Sequence, residues 1–237
     1  MSPVNGFLRR RAEHAVEEMD RPDCDPRRLE RTYVQFALVN RAVSGWRSIY
    51  RTYLRPMLSA SSVTTVLDIG CGGGDVPTML ARWAAHDGRR LEILAIDPDE
   101  RAYRFAAARR RRDGIVFRQA STTVLVDEGR TFDVVISSHV LHHLTPPQFQ
   151  LFLNDSELLC DGMVLHNDIR RSPLAYALFA AGSWPLPGSY IRVDGLTSIR
   201  RSYTTKELVA AAPPGWQVRR HSPFRNLLIL DKRGPRD

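Results

Sequence analysis

Cysteine is scarce in this chain, and lysine is scarcer. The cysteines are Cys24, Cys71 and Cys160. So small and odd a count excludes a disulfide framework and suits a reducing compartment. Long apolar runs are also missing. The most apolar stretch, 174–182, is about half the length that spans a bilayer. The segment Phe7-Leu-Arg-Arg-Arg-Ala-Glu13 lacks the apolar core of a signal peptide, so the expected location is the cytoplasm. No internal repeat or low-complexity tract interrupts the chain.

What remains is ordinary globular material. The 237 residues are 43% hydrophobic and 25% charged, enough for one large core without covalent staples. The net charge of +8 invites a nucleic-acid reading. Only Lys206 and Lys232 are lysines, however, so the excess is a skew toward arginine throughout the chain. The one dense cluster, Arg109 to Arg112, reads as the solvated C-terminal end of a helix, where cations suit the dipole. A nucleic-acid partner is therefore not expected.

Periodicity divides the chain into a helical cap, 1–60, and an α/β domain, 61–237. Leu8, Ala12, Ala15, Val16 and Met19 fall on one helical face. Asp25-Pro26 reads as a cap and first-turn proline. Leu29, Tyr33, Phe36 and Asn40 form a second stripe, and Trp46, Ile49, Tyr50, Tyr53, Leu54 and Met57 a third. From position 63, short apolar runs alternate with helical stretches: strands over 63–68, 91–96, 115–117, 132–137 and 163–165. That alternation predicts a doubly wound, mostly parallel sheet with helices on both faces. Residues 173–203 read as an insertion, with a helix over 173–181 and a Gly-, Pro- and Arg-rich loop over 183–202. Segments 217–221 and 226–231 read as a closing strand pair.

The chemistry concentrates where the first strand ends. In Val66-Leu-Asp-Ile-Gly-Cys-Gly-Gly-Gly-Asp-Val76 a strand gives way to glycines and then to a helix. Gly70, Gly72 and Gly74 permit a tight turn and close approach of a ligand, at the end of the sheet where such ligands bind. Asp97, followed by Pro98, ends the second strand and suits ribose hydroxyls. Asp75 stands where a dinucleotide loop has its third glycine, and a carboxylate there repels pyrophosphate. A cationic, phosphate-free cofactor is compatible with it.

These motifs resemble those of class I S-adenosylmethionine (SAM)-dependent methyltransferases. Asp68-Ile-Gly-Cys-Gly-Gly-Gly is similar to their first motif, Asp97 to their second-strand acid, and Phe132-Asp-Val-Val-Ile-Ser-Ser-His-Val-Leu-His-His-Leu144 to their fourth-strand motif. The small-molecule enzymes of ubiquinone, menaquinone and bacterial secondary metabolism are the nearest in look. The resemblance implies a Rossmann-like seven-stranded sheet, its last strand antiparallel, beneath an N-terminal helical lid. It implies SAM as cofactor: Asp68 near the amino group, Gly70, Cys71, Gly72 and Gly74 beneath the methionine part, and Asp97 and Pro98 at the ribose. Gln119 and Ala120 stand where the family often has an acid near the adenine amine, and Ser137 and Ser138 end the fourth strand.

The implied reaction is methyl transfer to oxygen or carbon of a small aromatic, quinone or polyketide-like acceptor. An RNA methyltransferase and a non-catalytic SAM-binding protein are the alternatives. For a phenol or an enolisable carbon, a base assists. His139 is the first candidate, as base or acceptor-orienting group. His142, which with His143 belongs to a structural-looking Leu-His-His-Leu pattern, is another. Asp168, with His166, lies on the segment leaving the fifth strand and can reach the acceptor. Some quinone-pathway relatives bind magnesium through carboxylates near the fourth strand. Here histidines stand at those places, and magnesium prefers oxygen, so no metal is expected.

Overall fold

The computed structural model describes residues 4–108 and 113–234. The Arg109–Arg112 cluster lies outside the described residues. In chain order the regular elements begin with helices α1 (Val4–Phe7), α2 (Pro26–Val43) and α3 (Trp46–Ile49). The α/β part follows as β1 (Thr64–Ile69), α4 (Asp75–His86), β2 (Leu91–Asp97), α5 (Glu100–Ala108), β3 (Ile115–Gln119), α6 (Thr122–Asp127), β4 (Phe132–Ser138), α7 (Pro146–Leu158) and β5 (Cys160–Ile169). Helices α8 (Pro173–Gly182), α9 (Ile191–Arg201) and α10 (Thr205–Ala211) then precede β6 (Gln217–His221) and β7 (Arg225–Asp231).

The strands form one sheet in the order β3-β2-β1-β4-β5-β7-β6. β1 to β5 pair in parallel, while β7 runs antiparallel to both β5 and β6. This is the expected seven-stranded sheet with an antiparallel last strand. Alternate side chains of each central strand enter opposite cores. Val66, Val134 and Ile136 join Trp46, Ile49 and Leu80 on one face. Leu67, Val135 and Val164 join Leu125, Phe149 and Leu153 on the other. Burial on both faces is why these strands read as unbroken apolar runs. The order reverses between β1 and β4, opening a crevice beyond their carboxyl ends.

Helix α2 starts as expected. The Asp25 side chain accepts from the Arg27 and Arg28 amides at 2.8 and 3.2 Å, with Pro26 in the first turn. The third stripe is a continuous helical run, α3 followed by a wider turn over 50–54 and a tighter one over 55–57.

Two expectations are corrected. Residues 8–17 are not helical. Leu8 is buried but Val16 is exposed, and the Ala12 amide donates to the Arg200 carbonyl, so the segment lies along α9 instead of bonding to itself. The stretch 183–202 is not all loop, because α9 occupies 191–201. Gly195 within it disguises the helix in the sequence. A Cβ there would collide with the Phe179 ring, so glycine is what lets α8 and α9 pack closely.

Candidate functional site

One cavity of about 850 Å³ occupies the crevice, large enough for two small ligands side by side. Its floor is the carboxyl ends of β1, β2 and β4. Its walls and roof come from α2, α8 and α9, together with Pro223, Phe224 and Arg225 at the start of β7.

The glycine loop is fastened to the sheet. The Gly70 and Cys71 amides both donate to the Ile96 carbonyl, at 2.8 and 3.0 Å. Gly70 and Gly72 take left-handed φ values of 69° and 52°. No protein atom stands within 4 Å of a Cβ built on Gly72, so that backbone faces open cavity. The Gly72 amide donates to Asp97 Oδ2 at 2.9 Å, and the Asp99 amide to Asp97 Oδ1 at 2.9 Å. One acid thus orders the loop and the β2 exit, with further lone pairs left on each oxygen.

Asp68 is the unusual group. It is buried, it lines the cavity, and neither carboxylate oxygen has a hydrogen-bond partner. Burial first, then the charges of Asp75 and Asp97, raise its pKa well above the usual carboxylate range. Asp75 also lines the cavity and accepts from Asn40 Nδ2 at 2.8 Å. Three acids therefore converge on a small volume around the loop. A buried carboxylate without partners, as Asp68 is, is costly, and a cation relieves that cost.

Among the other expected cofactor residues, Cys71, Pro98, Ala120 and Ser138 line the cavity. Gly74, Gln119 and Ser137 do not. Gly74 begins α4 against the Phe117 ring. Gln119 is exposed, and its amide donates to the Pro98 carbonyl at 3.4 Å. Ser137 Oγ bonds to His166 Nδ1 at 2.8 Å. The cavity wall beyond β3 is instead Ala120, Ser121 and Thr122. Alternation along an extended segment, with neighbours facing opposite sides, accounts for Ser137 turning inward where Ser138 does not.

The acceptor-side histidines have separate fates. His139 takes a left-handed φ of 62° as the chain leaves β4, and its amide donates to the Asn167 carbonyl. Its Nε2 lies 2.7 Å from Arg225 Nη1 and accepts from it. Burial first, then the Arg225 charge, keeps this imidazole neutral. His142 lies between two acids: Nδ1 is 2.7 Å from Asp168 Oδ1, and Nε2 is 3.4 Å from Glu17 Oε1. Burial alone would lower its pKa, but Asp168 and Glu17 outweigh it and raise the value to about 9. His142 is thus an imidazolium at neutral pH and cannot accept a proton. Asp168 lies behind it, outside the cavity lining, and also accepts the His142 amide at 2.8 Å. Burial pushes His166 down to about 3, and its ring stacks on Trp216. Among the described residues, Glu17, His142 and His143 have metal-ligand spacing. With His142 charged between carboxylates, they read as an ion-pair cluster joining the N-terminal segment to the β4 exit.

Arg225, Glu17 and Asn40 belong to this site and were not singled out as site residues from the sequence. Asn40 had a signal, as a polar residue closing an otherwise apolar stripe. Glu17 and Arg225 had none beyond their charge.

Comparison with known proteins bears on the fold directly. Residues 66–159 match the family model described as a methyltransferase domain. The structure aligns with the plantazolicin methyltransferase BpumL in complex with SAH at a TM-score of 0.55 and 13% identity, over 87% of this chain and 96% of that one. It aligns with human N-acetylserotonin methyltransferase in complex with SAM at 0.57 and 16%, over 86% of this chain and 56% of that one. The fold is that of the class I methyltransferases. In sequence, the ubiquinone biosynthesis O-methyltransferases of Ruegeria sp. and Ruegeria pomeroyi are 29% and 30% identical over 120 residues, half of this chain. The chain spans about half the length of these curated relatives, 46% in each case. Within the methyltransferase fold, the matched segment holds the glycine loop, Asp97 and the three clustered histidines. No helix among the described residues is long and apolar enough to cross a membrane.

Proposed function

We propose that the protein is a SAM-dependent methyltransferase acting on oxygen or carbon of a small, apolar, aromatic, quinone or polyketide-like acceptor. The carrying observation is Asp68, a buried carboxylate with both oxygens unpartnered, facing a cavity rimmed by two more acids and a glycine-rich loop. That donor set fits a ligand bearing an ammonium and a sulfonium, and it disfavours a phosphorylated cofactor. Asp68 would meet the amino group, Gly70 to Gly72 would pass beneath the methionine part, and Asp97 would hold the ribose. Pro98, Ala120 and Ser138 would flank it. When bound, SAM supplies a methyl group already activated by its sulfonium. The chain's own work is then orientation, with exclusion of water.

The roof supports a small acceptor. Phe36, Val39, Leu178, Phe179, Leu186 and Ile199 give the cavity a largely apolar lining. The 1–60 segment serves as a cap and 173–203 as a substrate-side insertion. The ubiquinone-pathway names of the sequence relatives favour the same acceptor class. Titration calorimetry with S-adenosylhomocysteine, followed by methyl transfer to a panel of phenols and quinols, tests the proposal. Binding that Asp97→Ala weakens at least tenfold is expected, and an affinity unchanged by Asp97→Ala would refute the ribose assignment.

A further inference from the structure

Beside the turn that leaves β4, the cavity is lined by a guanidinium that the cofactor reading does not use. Arg225 is buried at the start of β7 and lines the cavity. Its Nε and Nη2 both donate to the Val43 carbonyl at 3.1 Å, at the C-terminal end of α2. Its Nη1 donates to His139 Nε2 at 2.7 Å. A guanidinium carries five N–H groups, so these contacts leave one on each terminal nitrogen. Among the described residues no carboxylate forms an ion pair with it. Both direct partners are neutral. The charged groups nearby are Asp168 on β5 and, past His139, the His142 imidazolium. Asp168 is already engaged by His142. A buried cation with spare donors and no counter-ion is the mirror image of Asp68.

We propose that Arg225 binds the acceptor's reacting oxygen as an anion, with His139 as the positioning partner, so that the acceptor is an apolar phenol or enol taken up as phenolate or enolate. This rests on the methyl-transfer reading above and deepens it by naming the substrate class and the group that selects it. The location suits the role. His139 directly precedes Val140, and a Cβ built on Gly70 would lie 2.7 Å from Val140 Cγ2. His139 therefore sits one residue from the contact with the glycine loop, and Arg225 reaches the loop's side of the cavity through it. The chemistry also suits it. His139 is a poor base, since its Nε2 lone pair already accepts an N–H from Arg225, and burial with the neighbouring cation keeps the ring neutral. With His139 engaged in this way, the acceptor's proton leaves to solvent before entry, and Arg225 favours the resulting anion. Burial also lowers the Arg225 pKa, to about 10, yet it stays charged at neutral pH.

The probe is 4-nitrophenol, whose phenolate absorbs at longer wavelength than its phenol. It is titrated with the protein, with and without S-adenosylhomocysteine, and compared with 4-nitroanisole, its neutral O-methyl counterpart. The expected result is bound phenolate with its pKa lowered by about 1 unit or more, as for an acid beside a fixed cation, and at least tenfold weaker binding of the anisole. Arg225→Lys should keep part of the shift, and Arg225→Gln should abolish it. Equal binding of phenol and anisole by the unaltered protein would overturn the proposal without any variant. So would failure to bind the phenolate, or a shift that survives in folded Arg225→Gln. Loss of S-adenosylhomocysteine binding alone would instead strike the methyl-transfer reading, because the phenolate arm is read without it.

Discussion

Replacing Asp68 by asparagine should move stability and ligand affinity in opposite directions. The side chains are nearly isosteric, so packing at the end of β1 is kept and only the charge is lost. In the free protein that charge is a burden, since both oxygens lack partners and burial raises the pKa well above 3.8. A carboxyl whose folded pKa is raised contributes stability that is full below its unfolded value and lost as pH rises through the folded one. At neutral pH, Asp68→Asn should therefore stabilise the free protein by about 1 kcal/mol, because an unpartnered buried group costs more when charged than when neutral. For a chain of this size that is an increase in Tm of about 2–4 °C. Below pH 3.8 the wild-type carboxyl is protonated and the two proteins should melt together. Affinity for S-adenosylhomocysteine should fall, because a hydrogen bond to a charged group contributes about 1.5–3 kcal/mol, or roughly 10- to 150-fold. Scanning calorimetry across pH and titration calorimetry at neutral pH measure the two effects. A variant that melts lower at neutral pH and binds as well as wild type would show that Asp68 is a structural group and not the ammonium anchor.

Two further outcomes follow from the same geometry. Gly74→Ala places a methyl 2.7 Å from Phe117 at a φ of 75°; strain of this kind costs about 1–3 kcal/mol, and thermal melts should show it even though Gly74 does not line the cavity. Glu17→Gln removes one of the two acids that hold His142 charged. His142 has its pKa raised to about 9, so its contribution is full below 6.5 and lost as pH rises through about 9. The variant should therefore be less stable than wild type at neutral pH, with the gap closing above pH 9, and an NMR titration of the imidazole should find its pKa lowered; an unshifted imidazole would remove Glu17 from the cluster.

Much of this was legible in the sequence because the relevant signals are local. Strand, glycine loop and helix are contiguous from Thr64 to His86, and Asp97 closes the next strand, so periodicity and glycine placement locate the acidic end without tertiary information. Gly195 shows the limit. It breaks the helical signature of α9, and the reason for its presence, the Phe179 ring against it, is a contact between two helices. Val16 shows another, since spacing gave it a helical face that the folded segment does not form. The side-chain assignments at strand ends failed in a similar way. Ser137 and Ser138 are equivalent in composition, and only the phase of the alternation decides that Ser138 faces the cavity. Arg225 was beyond reach, because an arginine in a chain crowded with arginines carries no mark of its partner 86 positions earlier.

Arg225 and Asp68 together give the cavity a polarity that either alone would not. Asp68, Asp75 and Asp97 crowd negative charge around the loop at the end of β1, and Arg225 places an uncompensated positive charge beside the turn after β4. Inside a cavity with a largely apolar lining, charges are screened less than in water, so each group favours a ligand of the other sign. Under the proposed function, a cationic methyl donor and an anionic acceptor would thereby be drawn to different groups of the cavity. Exchanging them would set carboxylates against an anion and a guanidinium against a cation. The same arrangement makes an uncharged acceptor a poor match for the Arg225 end. Orientation of the two reactants is then a consequence of where the chain leaves its buried charges unpaired, and the free protein bears that cost in stability.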